Sequence, residues 1–113
     1  MNLYRQMRII LIYDLPTNEK IEQKIYNKFH NDIKKIGFYM LQYSVYVKII
    51  QNDSNFNQIY NKLATIIPDI GNIILFKITE KQFSELIYLK GEKNKYETIV
   101  GNNELVVFRS DTN

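Results

Sequence analysis

Residues 38–50 read FYMLQYSVYVKII, and the fold turns on how this stretch is divided. It is rich in aromatic and β-branched residues, the types that suit a pleated, half-buried surface. Thirteen residues exceed one ordinary strand. The spacing predicts two strands with a tight break near Gln42. Read that way, the stretch is the middle of a strand-helix-strand-strand-helix-strand chain.

Outward toward the N-terminus, residues 9–17 read IILIYDLPT. The apolar run 8–13 predicts a strand, and Pro16, which has no N–H to donate, ends it. Thr17 is placed to cap a helix over 18–36. Ile21, Ile25, Phe29, Ile33 and Ile36 fall on one stripe of that helix, and Gly37 stands at its C-terminal cap. In the other direction, NDSN (52–55) supplies cap residues. A second stripe follows in Phe56, Ile59, Tyr60, Leu63, Ile66 and Ile67, ended by Pro68. NIILFKI (72–78) and ELIYLKG (85–91) predict two more strands, and ELVVF (104–108) a last one. The whole is α+β, a ferredoxin-like βαββαβ sandwich with extra C-terminal strands. Residues 1–91 form the expected domain, and 92–113 a flexible linker with a C-terminal strand arm.

Two helices can cover only one face of such a sheet, so its other face should be polar. It is not. Ile9, Leu11 and Tyr13 lie on one side of the first strand, and Ile10 and Ile12 on the other. An apolar second face needs cover. The simplest is the same face of a second copy, which predicts a two-fold homodimer packed sheet to sheet.

Composition narrows the function. The chain has 113 residues, 45% hydrophobic and 24% charged, as one globular domain has. It lacks cysteine, which excludes disulfides, thiolate metal sites and a thiol nucleophile. No apolar run is long enough to span a bilayer, and MNLYRQ has no signal-peptide core, so a cytoplasmic protein is expected. The net charge of +3 permits a nucleic-acid partner without demanding one.

Asp14 continues the Ile10–Ile12 column at the strand's end. Two readings fit it. An aspartate before a Pro-containing turn often accepts hydrogen bonds from backbone amides. It is also a hard oxygen ligand, and a two-fold dimer could bring two Asp14 side chains to one Mg²⁺. Lys20, Lys24 and Lys28 recur every fourth residue along the first helix. Such like charges repel. The ridge is either a solvated face or a track for about three phosphates of one strand. His30, beside Phe29, is read as structural. Ser44 has no base near it in sequence. Tyr43 and Tyr46 raise base stacking, but no RNP1 motif accompanies them.

Five segments together resemble the CRISPR-associated adaptation proteins of the Cas-two family, most closely its type II-A branch. They are MRIILIYDLPT (7–17), GFYMLQYSVYVKII (37–50), GNIILFKITEKQF (71–83), IYLKGE (87–92) and ELVVF (104–108). The resemblance implies a ferredoxin-like homodimer that bridges two dimers of the CRISPR-associated integrase during spacer acquisition, with the double-stranded DNA protospacer lying across it. It implies a Mg²⁺-dependent endoribonuclease label, some members being associated with DNA cleavage. The labelled metal and catalytic aspartate matches Asp14. DNA-backbone contacts map loosely to Lys20 and Lys24, because the family's usual arginines are not present.

Overall fold

The first strand is central because every residue of it has a partner to reach. This computed structural model describes residues 6–91, and in it β1 (Met7–Asp14) runs antiparallel to a strand on each side. Residues that pair directly share a face. Ile9, Leu11 and Tyr13 therefore enter the layer under the helices, where they pack with Phe29, Ile33, Tyr46, Ile59 and Leu63. The chain order is β1, α1 (Lys20–Ile36), β2 (Tyr39–Gln42), β3 (Val45–Ile50), α2 (Asp53–Ala64), β4 (Asn72–Thr79) and α3 (Glu80–Ser84). The sheet order is β2-β3-β1-β4, the antiparallel ferredoxin-like arrangement. Residues 38–50 divide as expected, with Tyr43 and Ser44 at the hairpin tip.

Local chemistry moved several boundaries. α1 starts at Lys20 rather than 18, and Thr17 is not its cap. The Glu22 carboxylate accepts from the backbone N–H groups of both Asn18 and Glu19, at 2.9 and 3.0 Å, so Glu19 becomes the N-cap residue. At the other end Gly37 adopts φ 119°, and its N–H reaches the carbonyls of Ile33 and Lys34. α2 stops at Ala64, short of Pro68, where the Thr65 hydroxyl donates to the Lys62 carbonyl at 2.7 Å. Ile66 and Ile67 lie past its end.

The expected strand over 85–91 does not form. Thr79 and Gln82 close a reciprocal capping box, the Thr79 hydroxyl accepting from Gln82 N–H at 3.0 Å and the Gln82 amide oxygen from Thr79 N–H at 2.8 Å. That box turns the chain into α3 straight off the end of β4. The expected strand at 104–108 and the polar stretch before it lie outside the described residues.

α3 also changes the account of the second sheet face. Its Phe83 packs on Ile10 and Val47. Arg8, itself buried, lies across the same spot. Its Nε and Nη2 donate to the two carboxylate oxygens of Glu80 at 2.6 and 3.2 Å, and its Nη1 to the Tyr39 hydroxyl at 2.6 Å. The guanidinium stacks 4.0 Å from the Phe83 ring centroid. The chain thus covers one end of this face itself, where the sequence led us to expect a partner over all of it. No described residue covers the other end. Ile74 and Phe76 on β4 are 56% and 42% exposed.

Candidate functional site

The backbone that carries Asp14 is gripped from both sides. On one side the N–H of Tyr13 donates to the carbonyl of Ser44 at 3.1 Å, which straps the β2–β3 tip to the end of β1. Ser44 makes that bond from φ 64°, an uncommon backbone state for a residue with a Cβ. On the other side Gly71, at φ 80°, lies so close that an added Cβ would stand 2.6 Å from the Asp14 carbonyl oxygen and 2.4 Å from Leu15 Cδ2. Only glycine fits both the conformation and the space. Leu15 is buried, which anchors the next residue.

The Asp14 side chain itself is exposed and accepts no hydrogen bond from any described residue. That disfavours the turn reading, in which its carboxylate would be taken up by backbone amides. Across the ladder its partner is Asn72, so a carboxylate and an amide oxygen occupy neighbouring positions at one end of the sheet. The donors are all hard oxygens, suited to Mg²⁺ and not to softer ions. Among the described residues no cluster of three or more His, Cys, Asp or Glu could hold a metal. One chain therefore fits an open, largely hydrated ion completed by phosphate and water, and does not fit a closed protein cage.

The lysine ridge faces solvent along α1, on the side away from buried Phe29 and Ile33. Lys20 is the first residue of α1 and so stands at the Asp14 end of the molecule; Lys24 follows one turn on. Lys28 lies a further turn away and is engaged in a 2.8 Å ion pair with Asp32. An exposed i,i+4 pair of this kind is worth about 0.3–0.5 kcal/mol, which leaves Lys28 easily recruited but not free. Lys20 and Lys24 form no ion pair with any described residue.

The histidine is structural, as read from its position. His30 Nδ1 shares a 2.8 Å hydrogen bond with the Tyr46 hydroxyl, and the Tyr13 hydroxyl lies 3.5 Å away. Tyr26 stacks on the imidazole at a 7° interplanar angle. Burial raises the Tyr13 and Tyr46 hydroxyls above the usual tyrosine range, so both stay neutral. Desolvation, and then the Lys34 ammonium, hold the His30 imidazole below its ordinary value. The folded state thus resists a proton that the unfolded chain accepts below about pH 6.5. Stability is therefore full above that pH and falls as pH drops through it. His30 is the only histidine, so His30→Gln should flatten this part of the profile. Thermal melts of wild type and variant between about pH 7 and 5.5 check it, and equal slopes would mean His30 does not carry the effect.

Sequence reasoning missed Asn72 opposite Asp14, the close approach of Gly71, and the Arg8–Glu80 pair. The Gly-Asn pair that opens β4 was the available signal for the first two. Nothing in the sequence paired Arg8 with a residue 72 positions away.

Residues 7–86 match the family described as CRISPR associated protein Cas2. A CRISPR-associated endoribonuclease Cas2 of Streptococcus mutans serotype c (strain ATCC 700610 / UA159) is 41% identical over 102 residues, covering 90% of this chain and 92% of that protein. One from Campylobacter jejuni subsp. jejuni serotype O:2 is 37% identical over 106 residues, covering 94% of this chain and 74% of that protein. A solved structure titled "Crystal structure of cas2" superposes with a TM-score of 0.56 at 17% identity, covering 78% of this chain and 90% of that one, which supports the fold. Strand order, the segments shared from Met7 into α3, and these matches lead to one conclusion: the chain belongs to the CRISPR associated protein Cas2 family.

Proposed function

We propose that this protein is the cytoplasmic, homodimeric scaffold of spacer acquisition, which holds a double-stranded DNA protospacer on its lysine-bearing helices and bridges dimers of the CRISPR-associated integrase. The observation that carries this reading is the contrast between the two parts of the site. Lys20 and Lys24 face solvent with no ion-pair partner among the described residues, while no cluster of three or more His, Cys, Asp or Glu among those residues could hold a metal. That is enough to grip phosphates and a thin kit for chemistry.

A second reading has its own observation, the exposed Asp14 carboxylate, which no described residue engages. In a two-fold dimer two such carboxylates would share one Mg²⁺, and the protein would act as an endonuclease on RNA or DNA, in keeping with the endoribonuclease names of its relatives. The ion would polarise a phosphodiester and make a bound water more acidic. Asp14 would hold it, and Lys20 would neutralise a neighbouring phosphate oxygen.

The test is protospacer integration with the purified integrase, using wild type, Asp14→Ala and Lys20→Glu/Lys24→Glu. The scaffold reading expects Asp14→Ala to integrate as wild type does. It expects the double lysine variant to bind duplex about tenfold or more weakly at low salt. Its slope of log affinity against log salt should be shallower by about one for each phosphate no longer neutralised. Integration that fails for Asp14→Ala while duplex binding survives would favour the second reading. An unchanged salt slope would remove the ridge from the interface.

A further inference from the structure

Of the two tyrosines that raise base stacking, Tyr46 is buried beneath α1 and bonded to His30. Tyr43 is its opposite. Its side chain is 83% exposed, and it makes no ring contact or hydrogen bond with any described residue. Among the described residues the other strongly exposed tyrosine, Tyr60, has Phe56 stacked against it. The fold gains nothing from an aromatic ring at position 43.

The mount beneath that ring is nonetheless rigid. Tyr43 and Ser44 are the whole connection between β2 and β3. Ser44 is held at φ 64°, and its carbonyl is tied to Tyr13, the residue before Asp14. The ring therefore stands on a strapped tip at the same end of the sheet as Asp14 and the start of α1. An aromatic face held at the end of the sheet that also carries Asp14 and leads into α1 suits one ligand class well. A nucleobase stacks on it while its phosphate meets a cation.

We propose that Tyr43 is a stacking platform for an unpaired nucleobase at the Asp14 end of the protein, taking a base from a single strand or from the frayed end of a duplex. This rests on the reading of that end as a phosphate-binding site. Bases inside a duplex are already stacked and cannot reach the ring. Unpaired ones can, in RNA or in DNA, because the contact is with the base and not the sugar.

The experiment measures binding of a short labelled oligoadenylate, in RNA and in DNA form, and of a blunt DNA duplex, in EDTA so that nothing is cut. Wild type, Tyr43→Phe and Tyr43→Ala are compared. Tyr43 touches no part of the core, so both variants should fold. Tyr43→Ala should weaken both single strands by about tenfold, Tyr43→Phe should stay within about twofold of wild type, and duplex affinity should not move. Equal single-strand affinity for wild type and Tyr43→Ala, with duplex binding intact, overturns the platform and leaves the proposed function standing. A loss confined to the RNA form places recognition on the sugar and overturns it too, as does an equal loss for duplex. If wild type binds none of the three, the reading beneath the platform goes with it.

Discussion

Asp14→Ala should abolish any Mg²⁺-dependent cleavage, lowering its rate by about 100-fold or more, while leaving the melting temperature within about a degree of wild type. Both halves come from the same geometry. The carboxylate is exposed and accepts no hydrogen bond from described residues, so the fold does not depend on it. The backbone around it is held by Ser44 and Gly71, neither of which uses the side chain. Removing the side chain therefore leaves the strand end in place and takes away the carboxylate that would hold the ion. Asp14→Asn sharpens the test, because it keeps the shape and an oxygen but removes the charge that holds a cation. It should bind Mg²⁺ weakly, and rising Mg²⁺ should restore part of its rate. Cleavage at the wild-type rate by both variants, across a Mg²⁺ titration, would place the chemistry elsewhere or trace it to a contaminant.

Much of the fold could be read because its signals are local. Gly37 marks the end of α1 by a backbone state that few other residues accept, and it does so here at φ 119°. The two faces of β1 follow from alternation alone, and Ile9, Leu11 and Tyr13 lie under the helices as that alternation requires. The misreadings arose where side chains competed for backbone groups. Glu22 drew two amides and delayed α1, and the Thr79–Gln82 box diverted the chain into α3 where apolar residues further on suggested a strand. A hydrophobic pattern does not register such contests. The site divides in the same way. Asp14 stood out as an acid ending an apolar strand. The lack of a hydrogen bond to its carboxylate among the described residues, and the separation of Tyr43 from Tyr46 into an exposed and a buried ring, depend on tertiary placement.

The second sheet face yields the other large effect, and α3 decides where to look for it. Alternation alone would place the disruptive charge at Ile10 or Ile12. Ile10, however, is only 6% exposed and lies under Phe83 in its own chain. A glutamate there would be an unpaired buried charge and would unfold the monomer, which says nothing about a partner. Ile74 is 56% exposed, borders Ile12 across the ladder, and packs in neither core cluster. Ile74→Glu should leave each chain folded, because the layer between sheet and helices is complete without it. A partner's sheet packed on this face would have to desolvate the new carboxylate and, near a two-fold axis, set it close to its own copy. Dimer affinity should fall by about 100-fold or more, read as a monomer in sedimentation at concentrations where wild type is dimeric. Mg²⁺ affinity should fall with it, since two Asp14 carboxylates can share an ion only when two chains meet. An Ile74→Glu protein that stays dimeric would move the interface off this face, and the shared-ion reading of Asp14 would lose its geometry. A monomer that still binds Mg²⁺ as wild type does would keep the interface and reduce the site to one carboxylate, one phosphate and water.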